Sequence, residues 1–246
     1  MRVIRLSSDE SESEEKKYLQ VLLQQQVDGI LLVPARSTPD SIDLIQKQGT
    51  PVVVLDRRLP RAVDVDIVRC ENELGAYQLV RLLIELGHRQ VAILSGPLGV
   101  STAEDRLAGY RRAMCEAGFF DESQTVTFGS FNQASGFEMM RQLLDLKPPT
   151  GVFAANNLIG IGALHAIQQA GLSVPEDVAL VTFDDLPPTL LTSPFFTVAA
   201  QPAYEMGQRA TQLLLARLTT AAGDPCQEIV LPTELIVRQS SGQPRI

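Results

Sequence analysis

Short apolar runs rich in β-branched residues alternate with longer amphipathic stretches along this chain. The runs cover residues 3–6, 29–33, 52–55, 91–94, 151–155, 178–183 and 197–200, and their length and composition predict strands. Between them, a helical period predicts helices near 12–26, 39–48, 73–87, 101–118, 133–146, 157–171 and 202–219. The first helix opens on a capping box, Ser11-x-x-Glu14, and carries Leu19, Leu22 and Leu23 on one side. Gly87, Gly118 and Gly171 stand where helices should stop. Two late runs, 228–231 and 234–237, flank Pro232 and predict edge strands. Strands that are apolar throughout, each followed by a helix, belong to parallel sheets covered on both faces, so the expected class is α/β.

The residues that follow the strands are of a different kind. The run 52–55 ends in Asp56-Arg57, 151–155 in Asn156-Asn157, 178–183 in Asp184-Asp185 and 197–200 in Gln201. Open parallel sheets bind ligands at the carboxyl ends of their strands. Carboxylates, carboxamides and a guanidinium gathered there would grip hydroxyls, amides or a purine edge. The plainer alternative is that Asp and Asn only cap the helices that follow. That suits any single position better than it suits all four.

Composition narrows the function. Of 246 residues, 45% are hydrophobic and 20% charged, which fits a soluble chain with a sizeable core. The formal net charge of −8 disfavours contact with phosphate backbones and anionic membranes. Cys70, Cys115 and Cys226 are far apart and show no metal-ligand spacing, which predicts reduced thiols in a reducing compartment. The N-terminus turns acidic where a signal peptide would be apolar, and no run reaches membrane-span length, so the expected location is cytoplasmic. Gly96-Pro97-Leu98-Gly99 is glycine-rich but lacks the P-loop lysine and the GxGxxG spacing. With no nucleophile motif beside His88 or His165 either, neither an enzyme nor a cofactor is expected.

A set of segments resembles one family. Val27-Asp28-Gly29-Ile30-Leu31, Pro51-Val52-Val53-Val54-Leu55-Asp56-Arg57 and Leu86-Gly87-His88-Arg89-Gln90-Val91-Ala92 are similar to the LacI (lac repressor) family of transcriptional regulators. So are Asp105-Arg106-Leu107-Ala108-Gly109-Tyr110, Phe153-Ala154-Ala155-Asn156-Asn157 and the stretch from Val174 to Asp185, in the same order along nearly the whole chain. The resemblance implies a periplasmic-binding-protein-like core: two doubly wound parallel-sheet lobes joined by three crossovers, with an effector bound between them. It implies an N-terminal lobe of residues 1–67 and 201–230 and a C-terminal lobe of 68–200 and 231–246. It places Asp56, Arg106, Asn156, Asp184 and Gln201 at effector-contact positions; Thr102, one helical turn before Arg106, is a candidate to join them, and Phe183, just before Asp184, is the candidate for a wall of the site. A homodimer is implied, as is DNA binding through an N-terminal helix-turn-helix that this chain lacks. The chain begins at the family's second strand, so the N-terminal lobe is expected to be incomplete. The effector expected is a sugar or similar polyhydroxylated metabolite, with a purine or an amino-acid-like molecule as alternatives. A free-standing solute receptor of a transport or sensing system shares the architecture and is the second reading.

Several residues have two readings. Arg106 could fork onto a ligand or pair with Glu104 or Asp105 at the surface. Asp184 and Asp185, adjacent after a strand, should point different ways, which speaks against a shared metal ion or proton. Asp56 and Arg57 could neutralise each other. His88 is expected to bond the last carbonyls of a helix. The acidic run 9–15 is expected to be a solvated helix start whose carboxylates favour the helix N-terminus.

Overall fold

The structure is a computed structural model describing residues 3–60, 63–121, 125–146, 148–186, 194–219 and 225–242. The chain forms two compact units, one of residues 1–70, 99–101 and 202–231 and the other of 71–98, 102–201 and 232–246.

The first unit is built on a sheet of four parallel strands, β1 (Ile30–Leu32), β2 (Val52–Leu55), β3 (Asp66–Cys70) and β9 (Glu228–Leu231), in the order β1-β2-β3-β9. Helices α1 (Glu12–Gln24) and α2 (Asp40–Gln46) cover one face. There Leu19, Ile42 and Ile45 bury against Ile30, Leu32, Val52 and Val54. Helix α7 (Ala203–Thr219) turns Met206 and Ala210 inward from the other face. Residues 3–6, predicted to be a strand, are irregular, and Val3 is 77% exposed. A short extended segment holds its shape only when a neighbour accepts its backbone hydrogen bonds, and the sheet order ends at β1. Strand β3 escapes prediction because it starts on a charge. Asp66 is 2% exposed and accepts from Arg217 Nε (2.7 Å), Arg217 Nη2 (2.9 Å) and the Gln227 amide (2.8 Å). The acidic run 9–15 is solvated only in part. Glu15 is buried and accepts from the Ala35 amide (2.5 Å) and the Ser41 hydroxyl, while Glu10 pairs with Arg57, which also donates to the Pro34 carbonyl.

The second unit carries six strands in the order β10-β8-β7-β6-β4-β5. They are β4 (Val91–Ser95), β5 (Val126–Phe128), β6 (Gly151–Ala154), β7 (Ala179–Phe183), β8 (Thr197–Ala200) and β10 (Glu234–Ile236), all parallel except β10. Helices α5 (Gln133–Leu146) and α6 (Asn157–Gln169) enclose one face through Met139, Met140, Leu143, Ile159 and Ile167. Helix α3 (Asn72–Glu85) and, from Thr102 onward, α4 (Ser101–Glu116) belong to the same unit, and α3 packs on β4, β6, β7 and β8. Gly109 lets α4 approach α3 so closely that a Cβ there would lie 2.8 Å from the Tyr77 amide nitrogen. The edge strand β5, half-exposed and only three residues long, carries too weak a pattern to be predicted. Both late strands lie at sheet edges, as expected.

Polar contacts stitch the end of the chain to this sheet. Arg238 forms a two-point ion pair with Asp185 (2.8 and 2.6 Å) and donates to the Phe196 carbonyl. The Thr197 amide donates to Ser240 Oγ (2.8 Å). His88 does not cap a helix through its ring. It is 1% exposed, with Nδ1 3.1 Å from Thr150 Oγ1 and Nε2 2.6 Å from the Gly242 carbonyl oxygen, so it joins the chain end to the loop before β6.

Two predictions follow the buried polar groups. Arg217→Met strands the Asp66 carboxylate and should lower stability by about 2–4 kcal/mol. Urea unfolding measures this, and Asp66→Asn in the same chain should recover part of the loss. Burial holds the His88 imidazole below its usual 6.5, with the Gly242 and Thr150 contacts opposing this only in part. As pH falls through 6.5, the unfolded chain therefore binds a proton that the folded chain refuses, and stability drops. Melting temperatures between pH 8 and 5 should decline more steeply for the native chain than for His88→Gln.

Candidate functional site

Two strands end in the same way, one in each unit. Asp56 follows β2 with φ of 67°, and Asp184 follows β7 with φ of 66°. Both lie in the left-handed region that side-chain-bearing residues rarely enter and that Asp tolerates better than most. Each is held there by its own amide, which donates to the neighbouring strand: Asp56 to the Val68 carbonyl (2.8 Å) and Asp184 to the Ala199 carbonyl (3.0 Å). A non-glycine residue kept in a sparsely populated conformation marks a place where surrounding structure overrides local preference.

Around Asp184 the second unit gathers three more of the predicted residues, Arg106, Phe183 and Gln201. Gln201 Nε2 donates to Asp184 Oδ1 (2.5 Å), and Arg106 Nη1 lies 3.5 Å from Asp184 Oδ2. The Arg106 guanidinium carbon sits 3.8 Å from the centre of the Phe183 ring, within cation–π range. Phe183 has no exposed surface, so it supports Arg106 from beneath and is not an open wall. Arg106, 3% exposed, also donates from Nη1 to the Ala155 carbonyl (2.7 Å) and from Nε to Asn72 Oδ1 (2.9 Å). Its partners are therefore inside the site, and neither Glu104 nor Asp105 is its ion-pair partner.

Thr102 is buried on α4, one turn before Arg106. Asn156 caps α6, its Oδ1 accepting from the Ile159 amide (2.8 Å), which is the plainer role weighed for it. Asp56 belongs to the first unit. Its neighbour Arg57 pairs with Glu10 and not with it. Asp185 turns away from Asp184 to Arg238 and to the Leu186 amide (2.8 Å). The Arg238 hydrogen bonds hold its carboxyl below the usual carboxylate range. Among the described residues no group of three His, Cys, Asp or Glu side chains is placed to hold a metal ion, and no helix is long and apolar enough to cross a membrane.

Asn72 has no counterpart among the residues predicted from sequence. It follows β3, the strand that the apolar pattern does not reveal, so the polar residue beyond that strand end goes unnoticed too. Gly75, one turn later, brings α3 onto the cluster: a Cβ there would meet Phe183 Cε2 at 3.0 Å and Thr233 Oγ1 at 2.6 Å.

Comparison with known proteins agrees with this architecture. Residues 80–241 match the family described as periplasmic binding protein-like domain. The HTH-type transcriptional regulator CelR of Thermobifida fusca is 37% identical over 218 residues, 88% of this chain and 64% of that protein. The HTH-type transcriptional repressor PurR of Pasteurella multocida is 34% identical over 92% of this chain and 67% of its own length. Among solved structures, a transcriptional regulator CelR–cellobiose complex superposes with a TM-score of 0.84 at 35% identity, covering 94% of this chain and 71% of that one. Fold and site thus define a periplasmic-binding-protein-like domain. This chain belongs to the LacI family of transcriptional regulators.

The Phe183 ring is the floor of the cluster, and shortening it tests that role. Phe183→Leu should cost about 1–3 kcal/mol in urea unfolding, from lost packing and the lost cation–π contact.

Proposed function

We propose that this chain is the effector-sensing core of a ligand-responsive transcriptional regulator and that its effector is a sugar or a similarly polyhydroxylated metabolite. The observation that carries the reading is the cluster of Arg106, Asp184 and Gln201 at the carboxyl ends of a parallel sheet. A planar fork of donors beside a carboxylate and a carboxamide suits vicinal hydroxyls, each of which donates one hydrogen bond and accepts others. Arg106 enters with its plane already set by a ring and two acceptors, so little side-chain entropy remains to be lost on binding. Thr102 and Asn156 are proposed as further contacts from the second unit.

Effector binding would act by population shift, favouring the conformation that binds it better. The similarity to a cellobiose complex supports a sugar over a purine, and the relatives' names favour a regulator over a free-standing solute receptor. With a net charge of −8, the core itself offers phosphates little. DNA contact is therefore assigned to a helix-turn-helix module of the kind named in the relatives, and a homodimer would match it to paired half-sites.

Calorimetry against cellobiose, ribose and adenine tests the reading. A saccharide should bind with heat and no turnover, and Arg106→Ala and Asp184→Ala should each weaken that binding by about 1–3 kcal/mol. Unchanged affinity in both variants would refute the assignment of these residues.

A further inference from the structure

We propose that Asn72 is a positioning residue for Arg106: its buried carboxamide oxygen holds the Nε edge of the guanidinium and so sets the direction in which the remaining N–H groups meet an effector. The inference rests on the effector role given above to Arg106. Asn72 would touch no ligand itself.

Besides the Asp184 ion pair at Nη1, three contacts define where the guanidinium lies. Phe183 fixes its face, the Ala155 carbonyl holds Nη1, and Asn72 Oδ1 holds Nε at 2.9 Å. Face and Nη1 alone leave the group free to pivot about the Nη1 contact across the ring. The Nε bond removes that pivot. The partner is well chosen for the task, because Asn72 is 2% exposed and begins α3, where the backbone is fixed. A neutral carboxamide accepts from Nε without adding a second negative charge, so Asp184 remains the ion-pair partner of Arg106. Gly75 reinforces the arrangement from the same helical turn, since its bare Cα lets α3 approach the ring on which Arg106 lies.

The position of Asn72 in the chain adds a second consequence. Among the passages between the two units, one from the first to the second lies between residues 70 and 71, and one back lies between 201 and 202. Asn72 follows the first passage and Gln201 precedes the second, and they hold Arg106 and Asp184 respectively. A ligand that draws Arg106 or Asp184 toward itself therefore pulls on a residue next to each of these two passages.

The test reads Arg106 directly. In protein with nitrogen-15 arginine, the Arg106 Nε–H resonance, identified by its loss in Arg106→Lys, should exchange with water at least about ten-fold more slowly than exposed arginine Nε–H groups. Asn72→Asp, which retains an acceptor, should keep that protection, and Asn72→Leu should abolish it. Rapid exchange in the native chain overturns the proposal even if Asn72→Leu fails to fold, as does protection that survives in Asn72→Leu. Cellobiose titration supplies the functional arm. If the native chain binds it, Asn72→Leu should weaken binding about ten-fold or more and Asn72→Asp by less than about three-fold, whereas equal weakening in both variants overturns the proposal. If no sugar binds the native chain, the sugar reading above fails and the exchange measurement still decides the role of Asn72.

Discussion

A parallel sheet covered on both faces leaves polar chemistry only one place to go. Backbone hydrogen bonds occupy the ladder and apolar side chains occupy both surfaces, so charged and amide groups must stand at the strand ends. In the second unit β4, β6 and β7 have every residue buried. Arg106, Asp184 and Gln201 meet beyond them, where a guanidinium is enclosed and still finds acceptors. The apolar layers are thus what aim the site.

Enclosing those groups has a cost, and the structure meets it with hydrogen bonds. A guanidinium taken out of water needs acceptors for its N–H groups, and Arg106 finds a backbone carbonyl, a carboxamide and a carboxylate. Asp184 in turn is shared by Arg106 and Gln201. The left-handed backbone at Asp184 is part of the same solution, since it turns the chain sharply while the amide still reaches Ala199. Asp56 repeats that turn after β2, which points to one local device used in both units.

Other buried and half-buried charges serve architecture. Asp66 with Arg217 joins β3 to α7, Asp185 with Arg238 joins the β7 end to the final segment, and Glu15 joins α1 to the loop after β1. Adjacent residues can divide between the two purposes: Asp184 faces Arg106 while Asp185 faces Arg238. Arg57 likewise leaves Asp56 for Glu10. Neutral His88 belongs with these ties, because its ring reaches a hydroxyl and a carbonyl without carrying a charge inward.

The chain's own pattern determined the α/β class, the seven helices now numbered α1–α7 and most strands, since apolar runs and a 3.6-residue period report burial directly. It also singled out Asp56, Asp184 and Gln201, since polar residues that follow apolar runs stand out against them, whereas Arg106, inside a helix, came from the resemblance to the LacI family. Three things were settled only by tertiary structure. Residues 3–6 have strand composition but no strand, because pairing depends on a neighbour that composition does not supply. Strand β3 was hidden by Asp66, whose burial depends on Arg217, 151 residues away in sequence. Asn72 gained its role from that same strand, since only the folded chain brings its carboxamide to Arg106, 34 residues further on. Periodicity encodes which side of an element is buried, whereas the partner of each buried polar atom is a long-range contact that local sequence does not record.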